Sequence, residues 1–380
     1  MSPPLLLHIF PSFSVGGAQV RLAKLANRFG HRWRHAVVAL DGRAECLERI
    51  DADVDFNVLP SPLRPGQSLP SRLLSIRTFL RQLRPDLLVT SNWGSIEWAM
   101  ARLSTPALPH LHTEDGFGPE ESQGQFRRRI LTRRAALRWS EVVVPSKILL
   151  RSATQQWRLR ATQVHYIPNG LDLSHFQPKL NHPADRYREP VIGTVAALRA
   201  EKNLPRLLRA AALLQKQGLR FQLEILGHGP ERESLDALVA SLGLRECVSF
   251  AGHVADPSAA YQRFDIFALS SDTEQMPFSI LEAMASGLPI ASTDAGDVTV
   301  MVSAANAPHV VRQDDAALAE SLRVLLTDAA QRHRLGTANR TKAQQDYDQE
   351  AMFQHHARLI ERGCAAPEGR VSEVWRRGSV

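Results

Sequence analysis

Residues 266–297 read IFALSSDTEQMPFSILEAMASGLPIASTDAGD. A short apolar run, Ile266 to Leu269, leads into a polar loop. Pro277 then stands where helices tend to begin, and Phe278 to Ser286 carries apolar residues at helical spacing. A second β-rich run, Ile290 to Ser292, follows Gly287 and Pro289. Strand, helix and strand in that order form the unit from which parallel sheets are built, so this stretch places the chain in the α/β class.

The alternation continues outward. Before this stretch, strands are expected at Val191 to Val195, Gln222 to Leu226 and Val248 to Phe250, with helices over Leu204 to Lys216 and Glu231 to Leu242. After it, helices are expected over Ala316 to Thr327 and Gln349 to Arg362. The first half repeats the theme, with strands at Leu5 to Phe10, His35 to Leu40, Phe56 to Leu59, Leu87 to Thr90, Leu108 to Leu111, Val142 to Val144 and Val164 to Ile167. Helices there fit Ala18 to Phe29 and Ser71 to Leu83. Between the halves lies IPNGLDLSHFQPKLNHPADRYREP, with four prolines and little periodicity, which reads as a linker. Domains are therefore expected over residues 1–185 and 186–345, with a helix and tail over 346–380. Two open α/β sheets in one chain imply a crevice between them, with ligands bound beyond the carboxyl ends of the strands.

Composition bounds the alternatives. A chain of 380 residues, 44% apolar and 22% charged, is neither a disordered tail, a collagen-like rod nor a disulfide-stapled module. Cys46, Cys247 and Cys364 are odd in number and widely spaced, so neither a disulfide framework nor a four-cysteine zinc site can be written. No apolar run approaches the roughly 18 residues of a membrane span, and MSPPLLLHIF lacks the basic region and cleavage site of a secretory signal, so a cytoplasmic chain is expected. Up to Asp185 there are 24 Lys and Arg against 15 Asp and Glu; beyond it, 22 against 24. The densest basic stretch is GQFRRRILTRRAALRW, residues 124–139. A helix there would either lie on anionic lipid headgroups or present an ordinary solvated face. Nucleic-acid binding is disfavoured, because only Phe126 and Trp139 accompany the arginines and no reading motif does.

Candidate functional residues fall just after strands. In SFSVGG, Gly16 and Gly17 open a helix and free backbone N–H groups for a phosphate or sugar, although a plain tight turn explains them as well. Glu274 and Glu282 lie eight residues apart, across the loop and helix of the opening stretch. There they can face one ligand from different depths, Glu282 meeting the hydroxyls of a ribose, while the N–H groups of Phe278 and Ser279 face phosphate or sugar oxygens. Lys202 stands ahead of a helix, where a cation suits an anionic ligand. Gly227 in LGHGP and His253 in FAGHV follow further strands. His112 in HLHTEDGFGPEE follows another, with His110 as its rival; Glu114 and Asp115 either bind an acceptor hydroxyl or cap a turn. Asp51 and Asp53 sit in a polar turn, and the adjacent His355 and His356 diverge on a helix, so no metal site is expected.

The pair of glutamates before EAMASGLP, together with GTVAALRAEKNLPRLLRAA, LEILGHGPERESLDALVASLGL, VSFAGHV and IPNGLD, resembles the retaining nucleotide-sugar glycosyltransferases of family four. The resemblance is tight from Pro168 to Asp297 and looser before it. It implies a GT-B architecture: two Rossmann-like domains facing each other across a cleft, with the last helix returning to the first domain. It implies a UDP- or GDP-linked sugar as donor, no metal and no cofactor. The acceptor is expected to be a saccharide or lipid-linked hydroxyl in polysaccharide or glycolipid synthesis, with the protein peripheral at the inner face of the cytoplasmic membrane. It assigns His112, Lys202 and Glu274 to catalysis; with the residue readings above, donor contacts are expected of Gly16, Gly17, Arg199, Lys202, Gly227, His253, Glu274, Met276, Phe278, Ser279 and Glu282. Base contacts fall around Ala251 to Val254. One departure stands out. The family carries an Arg five residues before the Lys, and this chain has Ala197 there, with Arg199 two positions on. If Arg199 does not take over, the chain is instead a weak or inactive nucleotide-sugar-binding protein.

Overall fold

A computed structural model describes residues 2–105, 107–117, 119–121, 124–178 and 188–365. The chain parts into two compact units, one made of residues up to Ile167 with those from Phe353 onward, the other of Pro168–Met352.

The first unit is built on strands β1 (Leu5–Phe10), β2 (Arg34–Ala39), β3 (Phe56–Val58), β4 (Leu87–Ser91), β5 (His110–Thr113), β6 (Glu141–Val144) and β7 (Val164–Tyr166). They form one parallel sheet in the order β3-β2-β1-β4-β5-β6-β7. Its helices are α1 (Gly17–Phe29), α2 (Leu69–Leu83), α3 (Ile96–Arg102), α4 (Arg127–Ala136) and α5 (Lys147–Arg151). Right-handed crossovers put α1 on one face of the sheet and the layer α2, α3, α4, α5 on the other. Helix α2 packs on α3, and α3 on α4. Ile76 and Leu80 of α2 and Trp98 of α3 close over Leu7, Ile9 and Leu88 on that face, while Leu22 and Ala23 of α1 close over Phe10 and Val37 on the other.

The second unit repeats the plan. Strands β8 (Val191–Val195), β9 (Gln222–Leu226), β10 (Val248–Gly252), β11 (Ile266–Leu269), β12 (Ile290–Thr293) and β13 (Val310–Val311) are parallel in the order β10-β9-β8-β11-β12-β13. Helices α6 (Leu204–Lys216), α7 (Arg232–Ser241), α8 (Ser258–Tyr261), α9 (Phe278–Ala285), α10 (Val298–Met301), α11 (Asp315–Thr327) and α12 (Ala329–Asp346) cover both faces, and α13 (Gln349–Cys364) begins here and ends in the first unit. Strands β11 and β12 are buried along their whole length, which is why they read as continuous apolar or small-residue runs. In both sheets the order reverses once, between β1 and β4 and between β8 and β11, and such reversals mark where α/β sheets bind ligands.

Several expectations need correction. The units divide at Pro168, not at Asp185, and residues 179–187, where the linker was expected to end, lie outside the described residues. The reason is local: Asn169 N–H meets Met276 Sδ at 3.2 Å, Leu171 N–H donates to Tyr347 O at 2.9 Å, and Phe176 joins the core under α9. The second unit also runs on past 345, to Met352, and the expected tail from residue 366 lies outside the described residues. Strand β5 starts and ends two residues later than its apolar content suggests, because the parallel ladders with β4 and β6 run through His112 and Thr113.

Candidate functional site

In the second unit the loops after β8, β9, β10 and β11 are stitched together at the carboxyl end of the sheet. Ala196 N–H donates to Leu226 O (2.9 Å), Leu198 N–H to His228 O (3.0 Å), Gly227 N–H to Gly252 O (2.7 Å) and Asp272 N–H to Glu201 O (2.9 Å). Glycine is required at Gly227: a Cβ there would stand 1.8 Å from Ala196 O. His228 and His253 are exposed on neighbouring loops, their rings edge to face at 5.8 Å.

The loop after β8 carries Lys202, whose Nζ lies 2.6 Å from Glu274 Oε1 in the loop after β11; Ser271 Oγ donates to the same oxygen at 2.8 Å. The Glu274 side chain is 9% exposed and that of Lys202 23%, so this ion pair sits at the edge of solvent. Asn203 fixes the turn. Its left-handed backbone ends the Lys202 loop, its Oδ1 caps α6 by accepting from Arg206 N–H, and its Nδ2 donates to Asp272. Gly296 lets the Glu274 backbone lie against it, since a Cβ would come within 2.5 Å of Glu274 O. Helix α9 then starts at Phe278 with no side-chain cap; Ile280 N–H turns back to Pro277 O (3.2 Å), which leaves the N–H groups of Phe278 and Ser279 to a ligand or solvent. One helical stretch on, the half-buried Glu282 receives the Tyr261 hydroxyl at Oε2, 2.7 Å away.

Of the residues singled out from sequence, Lys202 and Glu274 are thus in contact, Gly227 and His253 lie on linked loops, and Phe278, Ser279 and Glu282 share α9. Met276 differs from expectation: its side chain is 5% exposed and packs into the core beneath α9. Arg199 is exposed in extended backbone, and Ala197 is half-buried beside it. Tyr261 was overlooked, because an aromatic four residues into a short helix carries no signal of its hydroxyl's partner.

In the first unit Gly16 is extended at the N-cap of α1 and Gly17 begins the helix, with no side-chain cap and no acid in its first turn. His112 does not follow its strand. It is the third residue of β5, it is completely buried, its Nδ1 lies 2.8 Å from Thr90 Oγ1 and its Nε2 3.6 Å from Glu114 Oε2. A side chain without surface cannot touch a bound sugar, so the contact expected of His112 is not available here. His110 is enclosed too, between Thr90 and Ser140, and burial holds its pKa well below the usual imidazole range. Beyond them, Glu114 is buried against Arg133 (3.0 Å), whose guanidinium lies over Trp93, Phe117 and Trp157. Asp115 at the strand end is clamped by Arg21 through two bonds of 2.7 and 2.9 Å. Among the described residues no cluster of His, Cys, Asp and Glu suits a metal ion.

Two family models match successive parts of this chain: "Glycosyltransferase Family 4" over residues 15–175 and "Glycosyl transferases group 1" over residues 179–342. The chain belongs to the family-four type of glycosyltransferases. Its similarity to other family members is partial in length. It is 33% identical over 147 residues to the putative glycosyltransferase EpsF of Bacillus subtilis, covering 37% of this chain and 38% of that one. It is 29% identical over 203 residues to the putative colanic acid biosynthesis glycosyltransferase WcaL of Escherichia coli, covering 50% and 49%. The chain therefore spans about half the length or less of these curated relatives. Among solved structures it resembles Anabaena Alr3699/HepE in complex with UDP, with a TM-score of 0.77 at 19% identity over 94% of this chain and 100% of that one. The fold of this family-four chain is α/β, two-domain and GT-B.

Proposed function

We propose that this protein transfers a sugar from a UDP- or GDP-linked donor to an acceptor hydroxyl, with retention at the anomeric carbon, in polysaccharide or glycolipid synthesis. The observation that carries the reading is the Lys202–Glu274 pair at the carboxyl ends of β8 and β11, beside the uncapped start of α9. Support also comes from the relatives, one of which is named for colanic acid biosynthesis, and from the UDP bound by HepE.

In this reading the second unit holds the donor. Lys202 has three N–H donors, enough to keep Glu274 and add a diphosphate oxygen, and the first N–H groups of α9 supply further positive potential. As the bond from the anomeric carbon to the phosphate oxygen breaks, charge grows on the leaving diphosphate, where these groups stabilise it without a metal. The acceptor oxygen bonds to the anomeric carbon from the same face, and its proton passes to the leaving phosphate oxygen. Glu274 orients the sugar, Glu282 the ribose, and His253 lies near the base. Arg199, exposed and extended, supplies the cation that Ala197 lacks. No cofactor takes part.

The acceptor is proposed to be a saccharide, free or lipid-linked, met at an anionic membrane face. The outward side of α4 carries Arg127, Arg128, Arg134 and Leu131, the last 62% exposed, with no acid among them, and exposed Phe126 precedes it. No helix among the described residues is long and apolar enough to cross a membrane. Equal partitioning onto neutral and acidic vesicles at low salt would count against this docking.

Thermal-shift screening of nucleotide sugars, followed by transfer assays, tests the main reading. One UDP- or GDP-sugar is expected to raise the midpoint, and Lys202→Ala to cut turnover about a hundredfold. If no nucleotide sugar is bound, the reading fails.

A further inference from the structure

Tyr261 is fully buried at the end of α8. Its ring stacks on Phe267 (5.7 Å, 27°) and meets Phe264 and Phe176 at steep angles. These rings leave the hydroxyl one direction. It lies 2.7 Å from Glu282 Oε2 and 3.2 Å from the Ser279 carbonyl oxygen, so its single proton goes chiefly to the carboxylate. Burial, and the negative charge of Glu282, raise the phenol pKa well above its ordinary value, which keeps the group a donor at any physiological pH.

The two residues belong to different helices that pack against each other. Tyr261 ends the helix before β11, and Glu282 sits in the middle of the helix after it. A glutamate in mid-helix has several rotamers open to it in principle, and the Glu282 carboxylate is held in one. A rigid phenol fixes one of its oxygens, and thereby the direction of the carboxylate.

We propose that Tyr261 is the positioning residue for Glu282, aiming its carboxylate at the vicinal hydroxyls of a ribose and so making this chain selective for ribonucleoside diphosphates over deoxy ones. The proposal rests on the donor-site reading above and adds to it a residue that touches no ligand itself. A carboxylate fixed at one oxygen accepts from a rigid diol at little entropic cost, whereas a swinging one has to be ordered on binding.

Isothermal titration of the full chain with UDP, GDP and their 2′,3′-dideoxy counterparts tests it. Tyr261→Phe keeps the ring and removes only the hydroxyl. The variant is expected to bind the ribonucleotide preferred by wild type about tenfold more weakly, to bind the dideoxy form as wild type does, and to unfold near the wild-type temperature. Adding Tyr261→Phe to Glu282→Gln is expected to cost nothing more, because the two act as one unit. Unchanged ribonucleotide affinity in Tyr261→Phe, or equal weakening toward both sugars, overturns the inference and leaves the donor site standing. Should Tyr261→Phe not fold, Glu282→Gln decides alone: a variant that discriminates ribose from dideoxyribose like wild type also overturns it. Wild-type protein that binds neither UDP nor GDP overturns the donor-site reading and this inference together.

Discussion

At the scale of single residues, the first unit has a keystone in Arg133. Its side chain is fully buried, ion-paired to the equally buried Glu114, 3.6 Å from Glu121, and enclosed by three aromatic rings. Removing one partner of a buried pair strands the other, so Arg133→Ala is expected to destabilise the protein by about 3–5 kcal/mol in denaturant unfolding. Arg134→Ala, one position on and exposed, is expected to change stability by less than about 0.5 kcal/mol. The sequence could not separate these two arginines. Both stand in one basic run, and only the position of Glu114 across the fold tells which turns inward. That Lys202 and Glu274 belong to one site was legible because both residues follow strands, and strand ends meet in an α/β sheet; that they pair with each other was not. His112 was misread for a related reason: its place hung on where β5 ends, and hydrogen-bonded ladders rather than apolar content decide that.

At the scale of elements, most strands and helices follow from apolar periodicity, but α12 does not. It is polar on nearly every side, with Leu335, Gly336, Asn339 and Ala343 its only buried residues. Hydrogen bonds hold it instead of an apolar stripe. Asp328 caps it, accepting from Gln331 N–H (2.8 Å). Asn339 donates to Leu288 O and Asn306 Oδ1 (2.9 Å each) and accepts from Ser303 N–H, while Arg340 donates to the carbonyls of Phe176, Leu173 and Ala285. The partners of Asn339 and Arg340 are far away in sequence, so apart from the Asp328 cap no local pattern announces the helix. Its close approach to the turn after α9 depends on Gly336, where a Cβ would stand 2.0 Å from Gly287 O. Backbone cannot yield as a side chain can. Gly336→Ala is therefore expected to lower stability by about 2 kcal/mol or more despite the better helix propensity of alanine, and a thermal melt reads the difference.

At the scale of the molecule, the first unit holds buried imidazoles with depressed pKa values. Burial, with the neighbouring His35, keeps His8 low. Burial lowers His35 to about 4 against the opposing pull of Asp55, and His356 to about 3, with Arg21 and His355 lowering it further and Asp115 opposing. His8 and His356 line one small cavity with Arg21, Ser91 and Thr113. The sign follows from linkage. A histidine kept neutral in the native state costs nothing above the unfolded value of about 6.5, and below it the unfolded chain takes up the proton that the native state refuses. Stability is thus expected to fall as pH drops from 6.5 toward 4, by on the order of 3 kcal/mol each for His35 and His356. Every tryptophan of the described residues lies in this unit: Trp33, Trp93, Trp98, Trp139 and Trp157. Intrinsic tryptophan emission should therefore report the acid transition. A red shift no earlier at pH 4.5 than at pH 7.5 on a urea ramp would contradict this account.

Helix α13 belongs to the first unit from Phe353 onward, where Gly363 packs on Leu87, Arg32 pairs with Glu361 and Arg362 with Glu141. A ribosome emits residues 1–167 long before this helix exists, so the nascent first sheet waits with Leu87 and its neighbours uncovered. The uninterrupted segment 168–352 has all its own packing partners as soon as it clears the exit tunnel. Translation order and folding order accordingly part company: the half made second can finish first, and the half made first stays open to chaperones until residues 353–364 have been added.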